Sequence, residues 1–105
     1  MNQTQNGLLL RIFVGETDQL NGKPLYEQII LKAKELHLAG ATATRGIMGF
    51  GATSRLHSAK ILRLSDDLPV VIEIIDTEEN LKKLTPFLKA TLKPGLATLG
   101  KIEII

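Results

Sequence analysis

The sequence predicts an α+β fold in which a four-stranded antiparallel sheet carries two helices on one face. Two features predict it: four segments have strand character, and two others carry apolar residues at helical spacing. Their order, strand, helix, strand, strand, helix, strand, then decides how they assemble.

Residues 8–14 form the first strand, with Leu8, Leu10, Ile12 and Val14 on one face and Leu9, Arg11 and Phe13 on the other. Residues 15–23 are a loop carrying Glu16, Asp18 and the pair Asn21-Gly22. Pro24 stands where a first-turn proline belongs. From there Leu25, Ile29, Ala33 and Leu36 recur at helical spacing, and Gly40 follows as a C-terminal cap. Residues 41–50 are a second strand, rich in Thr and ending in glycines. Pro69 opens the third, 70–75, whose nearly continuous apolar run suits a central position. Asp76 and Glu79 have capping-box spacing, with Asp in place of the usual Ser or Thr. Leu81, Leu84, Leu88 and Leu92 then make the stripe of a second helix, which Pro86 should kink or deprive of a hydrogen bond. Lys93-Pro94-Gly95 is a turn, and 96–105 the last strand. This is the ferredoxin-like βαββαβ pattern, in which right-handed crossovers put the first and third strands in the middle. The whole chain, 1–105, is one domain, with a polar, flexible N-terminus at 1–7. Residues 51–68 are too long for a tight hairpin and are expected to form an extended arm, with 60–64 a candidate short strand.

Composition narrows the function classes. The chain has 105 residues, a net charge of +2 and no cysteine, which excludes disulfides, thiolate metal sites and cysteine nucleophiles. So small a charge argues against general nucleic-acid binding. The polar, uncharged N-terminus lacks a signal-peptide pattern, and no apolar run approaches the roughly 18 residues of a membrane helix. A cytoplasmic protein without direct membrane insertion is expected.

The basic character is local. Arg45-Gly46-Ile47-Met48-Gly49-Phe50-Gly51 is followed by Arg55, His57, Lys60 and Arg63, and no carboxylate occurs between Leu36 and Ser65. Glycine lets a ligand approach the main chain, and backbone N–H groups ringed by cations suit an anion. The spacing is neither that of a P-loop nor of a dinucleotide fingerprint. Glycine alone would also explain a bulge or sharp turn leaving a sheet edge. Phe50 either stacks on a base or fills a subunit interface. His57 has serines 54, 58 and 65 around it but no acid in that segment to orient it, so no catalytic set is assigned. Two histidines in separate elements make a poor metal site within one subunit.

The sheet face away from the helices carries Leu9, Phe13, Val71 and Ile75, with Arg11 and Glu73 placed to pair between them. An apolar patch of this kind is expected to be covered, either by other subunits or by the arm or a terminal segment.

Six stretches carry a resemblance: Arg11-Ile12-Phe13-Val14-Gly15-Glu16, Gly22-Lys23-Pro24-Leu25-Tyr26, Gly40-Ala41-Thr42, the Arg45–Gly51 motif, Ala59-Lys60-Ile61-Leu62-Arg63-Leu64-Ser65, and Leu68-Pro69-Val70-Val71-Ile72-Glu73. Together they resemble the small prokaryotic domains of unknown function numbered 190, in the PII-like group related to nitrogen-regulatory PII and CutA proteins. The resemblance implies a homotrimer and a signalling or regulatory role. It implies an adenine nucleotide (ATP, ADP or AMP) or related phosphate-bearing metabolite bound in clefts between subunits. The long loop differs from that of PII proteins throughout, so their partners are not carried over; a membrane transporter or channel is the expected regulated partner. The cleft regions of PII proteins correspond here to Arg45, Gly46, Phe50, Gly51, Arg55, Lys93, Gly95 and Lys101; Gly49 and His57 join them from the acid-free segment. The modifiable loop tyrosine of classical PII proteins has no counterpart, because Tyr26 lies in the first helix. The alternative is a CutA-like trimer handling metal ions through His57 or the Glu16/Asp18 loop.

Overall fold

Alternation in the first strand decides which side of the sheet becomes interior. In the computed structural model, which describes residues 4–49, 67–93 and 96–105, strand β1 runs Gln5–Gly15 and buries Leu10, Ile12 and Val14 while Arg11 and Phe13 face outward. After it come β2 (Gln19–Leu20), β3 (Lys23–Pro24), α1 (Leu25–Glu35), β4 (Gly40–Arg45), β5 (Pro69–Asp76), α2 (Glu78–Leu81), α3 (Thr85–Thr91) and β6 (Ala97–Ile104). The main sheet has the order β4-β5-β1-β6 with antiparallel neighbours, so the first and third predicted strands, β1 and β5, are indeed central. Ile12, Ile72 and Ile74 from the sheet close on Ile29 of α1 and on Leu81 and Leu84 of the second helical segment, all in one core cluster. Burying such side chains stabilises the fold by about 1.5–3 kcal/mol each.

Several element boundaries differ from the pattern. Gln5, Asn6 and Gly7, expected in a flexible N-terminus, extend β1 and pair with Ile104, Glu103 and Ile102 of β6. Within the 15–23 loop, Asn21 (φ 54°) and Gly22 (φ 79°) make a two-residue hairpin between β2 and β3, the positive φ pair that an Asn-Gly turn favours. Helix α1 does not wait for Gly40. It ends one turn earlier, where His37 takes a left-handed conformation (φ 60°), its N–H donating to Lys34 O at 3.0 Å and that of Leu38 to Ala33 O at 3.0 Å. Gly40 instead starts β4. The second helix is two short ones: Pro86 lies in the first turn of α3, where its missing N–H costs nothing, and i→i−3 bonds such as Leu84 N–H to Leu81 O (3.0 Å) bridge the break. The last strand starts at Ala97 rather than 96, with Leu96 buried and its carbonyl accepting from Phe13 N–H at 2.8 Å.

The helix cap is displaced by one residue. Thr77, not Asp76, is the N-cap of α2, its Oγ1 accepting from Asn80 N–H at 3.3 Å. Asp76 is buried and accepts from Ala39 N–H (2.8 Å), Thr77 N–H (2.6 Å) and Asn80 Nδ2 (2.9 Å), tying the end of β5 to the α1–β4 connection. Burial alone raises the carboxyl's pKa, but donation from Asn80 and from the backbone of Thr77 and Ala39 outweighs it and holds Asp76 below its ordinary value. The stabilisation is therefore present above the unfolded-state pKa of about 3.9 and is lost as pH falls through the lower folded value. Asp76→Asn should cost about 1.5–3 kcal/mol at pH 7, with the gap to wild type narrowing below about pH 4. Thermal melts of both proteins between neutral and acid pH check it; a gap independent of pH would contradict the assignment.

Candidate anion-binding site

Strand β4 stops at Arg45 because its partner runs out. β5 begins at Pro69, and the last contact is Gly46 N–H to Pro69 O at 2.7 Å. The predicted strand continuing to residue 50 is thus too long: residues 46–49 leave the sheet, exposing Ile47 and Met48. A Cβ on Gly46 would lie 2.8 Å from Pro69 Cγ and one on Gly49 3.2 Å from it. Packing against Pro69 therefore accounts for both glycines without a ligand. Gly46→Val should force this corner apart and cost about 1–3 kcal/mol, as overpacking does; denaturant unfolding measures it.

At Arg45 the acid-free stretch of sequence is not acid-free in space. Glu16, directly after β1, forms an ion pair with the Arg45 guanidinium, although the two are far apart in the chain. Glu16 is held there by its own N–H, which donates to Leu68 O at 2.8 Å. Asp18 accepts from Gly15 N–H at 2.9 Å and Asp67 from Thr17 N–H at 3.1 Å. The corner around Arg45 thus contains carboxylates engaged with the backbone and with the arginine itself. The Glu16/Asp18 loop is accordingly committed to local structure, and among the described residues no group of three or more metal-ligating side chains lies together.

The other described members of the expected site lie elsewhere. Lys93 follows α3, and Lys101 sits on β6 opposite Leu8. β4 and β6 are the two edges of the sheet, separated by β5 and β1, or about 14 Å at the usual strand spacing. Arg45 pairs with Val70, which in turn pairs with Val14, so Arg45 and Lys101 are also offset by about 20 Å along β1. One chain therefore does not bring Arg45 together with Lys101. Phe50, Gly51, Arg55, His57 and Gly95, and the expected arm apart from residues 67 and 68, lie outside the described residues.

The face opposite the helices is as the alternation predicts. Leu9 pairs with Ile75, Arg11 with Glu73 and Phe13 with Val71 across the central strands. Arg11 Nε and Glu73 Oε2 are 2.7 Å apart, while Phe13 and Ile75 on either side of this pair each remain 41% exposed. Among the described residues no helix is long and apolar enough to cross a membrane.

Comparison with known proteins places this geometry in context. The profile of the DUF190 family, described as an uncharacterized ACR, matches residues 7–104. A UPF0166 protein of Aquifex aeolicus (strain VF5) is 43% identical over 97 residues, covering 92% of this chain and 91% of the relative. A UPF0166 protein of Methanocaldococcus jannaschii is 36% identical over 85 residues, covering 81% of this chain and 78% of the relative. A crystal structure from Thermus thermophilus, provisionally described as a PII-like signaling protein, superposes with a TM-score of 0.66 at 16% identity, covering 99% of this chain and 94% of the other. That likeness establishes a PII-like fold.

Proposed function

Because this chain belongs to the DUF190 family and has a PII-like fold, we propose that it is a PII-like regulatory protein, assembled as a homotrimer, that binds an adenine nucleotide or related phosphate-bearing metabolite between subunits and thereby regulates a partner. The observation that carries this reading is the division of the expected anion ligands between the two edges of the sheet: Arg45 ends β4, whereas Lys101 lies on β6. A cleft using both ends needs the β4 edge of one copy beside the β6 edge of the next. That arrangement is head-to-tail, and repeated by rotation it closes into a ring. The exposed Phe13 and Ile75, with the partly buried Leu9 and Val71 beside them, give the copies an apolar surface to share.

Within such a cleft Arg45 has two candidate anions: its own Glu16 and the ligand's phosphate. Guanidinium binds either in the same bidentate manner, so ligand capture becomes an exchange of partners. An exchange of this kind couples binding to the loop after β1 and gives a regulator two states with different ligand affinity. The partner, a membrane transporter or channel in this reading, would sense that difference. No step of covalent chemistry is involved.

The decisive experiment joins native mass spectrometry of the full chain with calorimetric titration of ATP, ADP, AMP and cyclic AMP. Three copies per particle and submillimolar binding of at least one nucleotide are expected. A monomer at micromolar concentration, or no binding below millimolar nucleotide, overturns the proposal.

A further inference from the structure

Leu99 of β6 points to the helix side of the sheet, being paired with buried Leu10, yet it is 63% exposed. The reason is that α3 buries none of its residues completely and leaves the sheet's β6 side incompletely covered. Between α2, α3 and β6 remains a cavity of about 560 Å³. Its apolar wall is made by Leu8, Leu10, Leu81, Leu88, Leu92 and Leu99. The volume lies within the roughly 300–1,000 Å³ of small-molecule sites.

The lining selects among ligands. Among the described lining residues, six leucines present branched aliphatic surface and none offers an aromatic plane for a ring to stack on. The polar groups are concentrated in Lys82, Lys89 and Lys93, with Glu78 and Thr85 beside them. Glu78 lies 3.7 Å from Lys82, so among the described lining residues the three ammonium groups still outweigh the single carboxylate. Lysine suits this position because its aliphatic stem can lie along the leucines while its charge stays in water. The combination is an aliphatic trough with a cationic rim.

We propose that this cavity binds a single-chain anionic amphiphile, an unbranched alkyl chain ending in a carboxylate, with the chain against the leucines and the carboxylate among Lys82, Lys89 and Lys93. The site is separate from Arg45, which ends the opposite edge strand, and among the described residues it shares with the proposed nucleotide cleft only Lys93. For that reason the test leaves Lys93 unchanged.

The full chain is titrated calorimetrically with octanoate, decanoate and dodecanoate below their micellar concentrations, and with dodecanol at matched concentration. Affinity should rise by about four-fold for each added methylene until the trough is filled. Dodecanol should bind more weakly than dodecanoate, and Lys89→Ala should bring dodecanoate towards it by about two- to five-fold. Leu99→Glu introduces a carboxylate at an already exposed position, so the fold should persist, as circular dichroism would verify. It should weaken dodecanoate by about ten-fold or more, through an unpaired charge facing the chain. Equal affinity for octanoate and dodecanoate, dodecanol binding as well as dodecanoate, or a folded Leu99→Glu protein with unchanged affinity would each overturn the proposal. So would an assembled protein that takes up no amphiphile, the result expected if a second copy fills the trough.

Discussion

Replacing Arg45 by Ala is expected to lower nucleotide affinity by roughly ten- to hundred-fold, the effect of losing a charge-assisted phosphate contact worth about 1.5–3 kcal/mol. The structure adds an opposite expectation for the residue that holds Arg45 in the free chain. Glu16 pairs with it through side chains that are 61% and 28% exposed for Arg45 and Glu16 respectively, so the pair is only partly shielded from solvent. Such a pair contributes about 0.2–1 kcal/mol, and that amount opposes any phosphate that must displace it. Glu16→Gln should therefore tighten nucleotide binding by up to about five-fold, while the double variant should behave like Arg45→Ala alone. The Arg45 effect should shrink with added salt, because both competitors act partly through screened charge. Calorimetric titration of ATP against the four proteins reads all of this at once. If Arg45→Ala binds as the wild type does, Arg45 is not a ligand residue. If Glu16→Gln binds more weakly, Glu16 supports the site instead of competing for it.

Phe13→Glu should disrupt assembly. In the single chain Phe13 is half-exposed, so the substitution need not disturb the core, whereas a carboxylate buried between copies costs several kcal/mol without a partner. Arg11 lies two residues away on the same face and would moderate the effect. Ile75→Glu is the stricter version, since its same-face neighbour on β5 is Glu73, already committed to Arg11 at 2.7 Å. Light scattering across a concentration series should show a lower mass for both variants, more so for Ile75→Glu. Wild-type mass in both would place the interface elsewhere.

What could be read from the sequence was whatever repeats locally. The period-two pattern of β1 placed Ile12 inside and Phe13 outside, and the same parity on β5 brought Arg11 against Glu73. Leu25, Ile29 and Ala33 identified the buried stripe of α1 from spacing alone. Pro86 announced an interruption, although its outcome was a new helix start and not a bend. The Asn21-Gly22 hairpin reads as plain loop in the sequence, although its dipeptide suits a turn that only residues tolerant of positive φ can make. His37 was harder, because Gly40 offered a better intrinsic cap and only the Leu38 bond to Ala33 shows where the helix closes.

The sequence by itself determined the order of elements, the inward face of each central strand and hence the α+β sheet, because side-chain alternation and helical spacing depend on near neighbours. The tertiary structure decided what depends on residues distant in the chain. It brought Glu16 to Arg45, set Pro69 against Gly46 and Gly49, drew Asp76 onto Ala39, and put Arg45 and Lys101 on opposite edges. The absence of carboxylates in the sequence around Arg45 says nothing of its charge environment in three dimensions, since folding brings Glu16, from the loop after β1, against it.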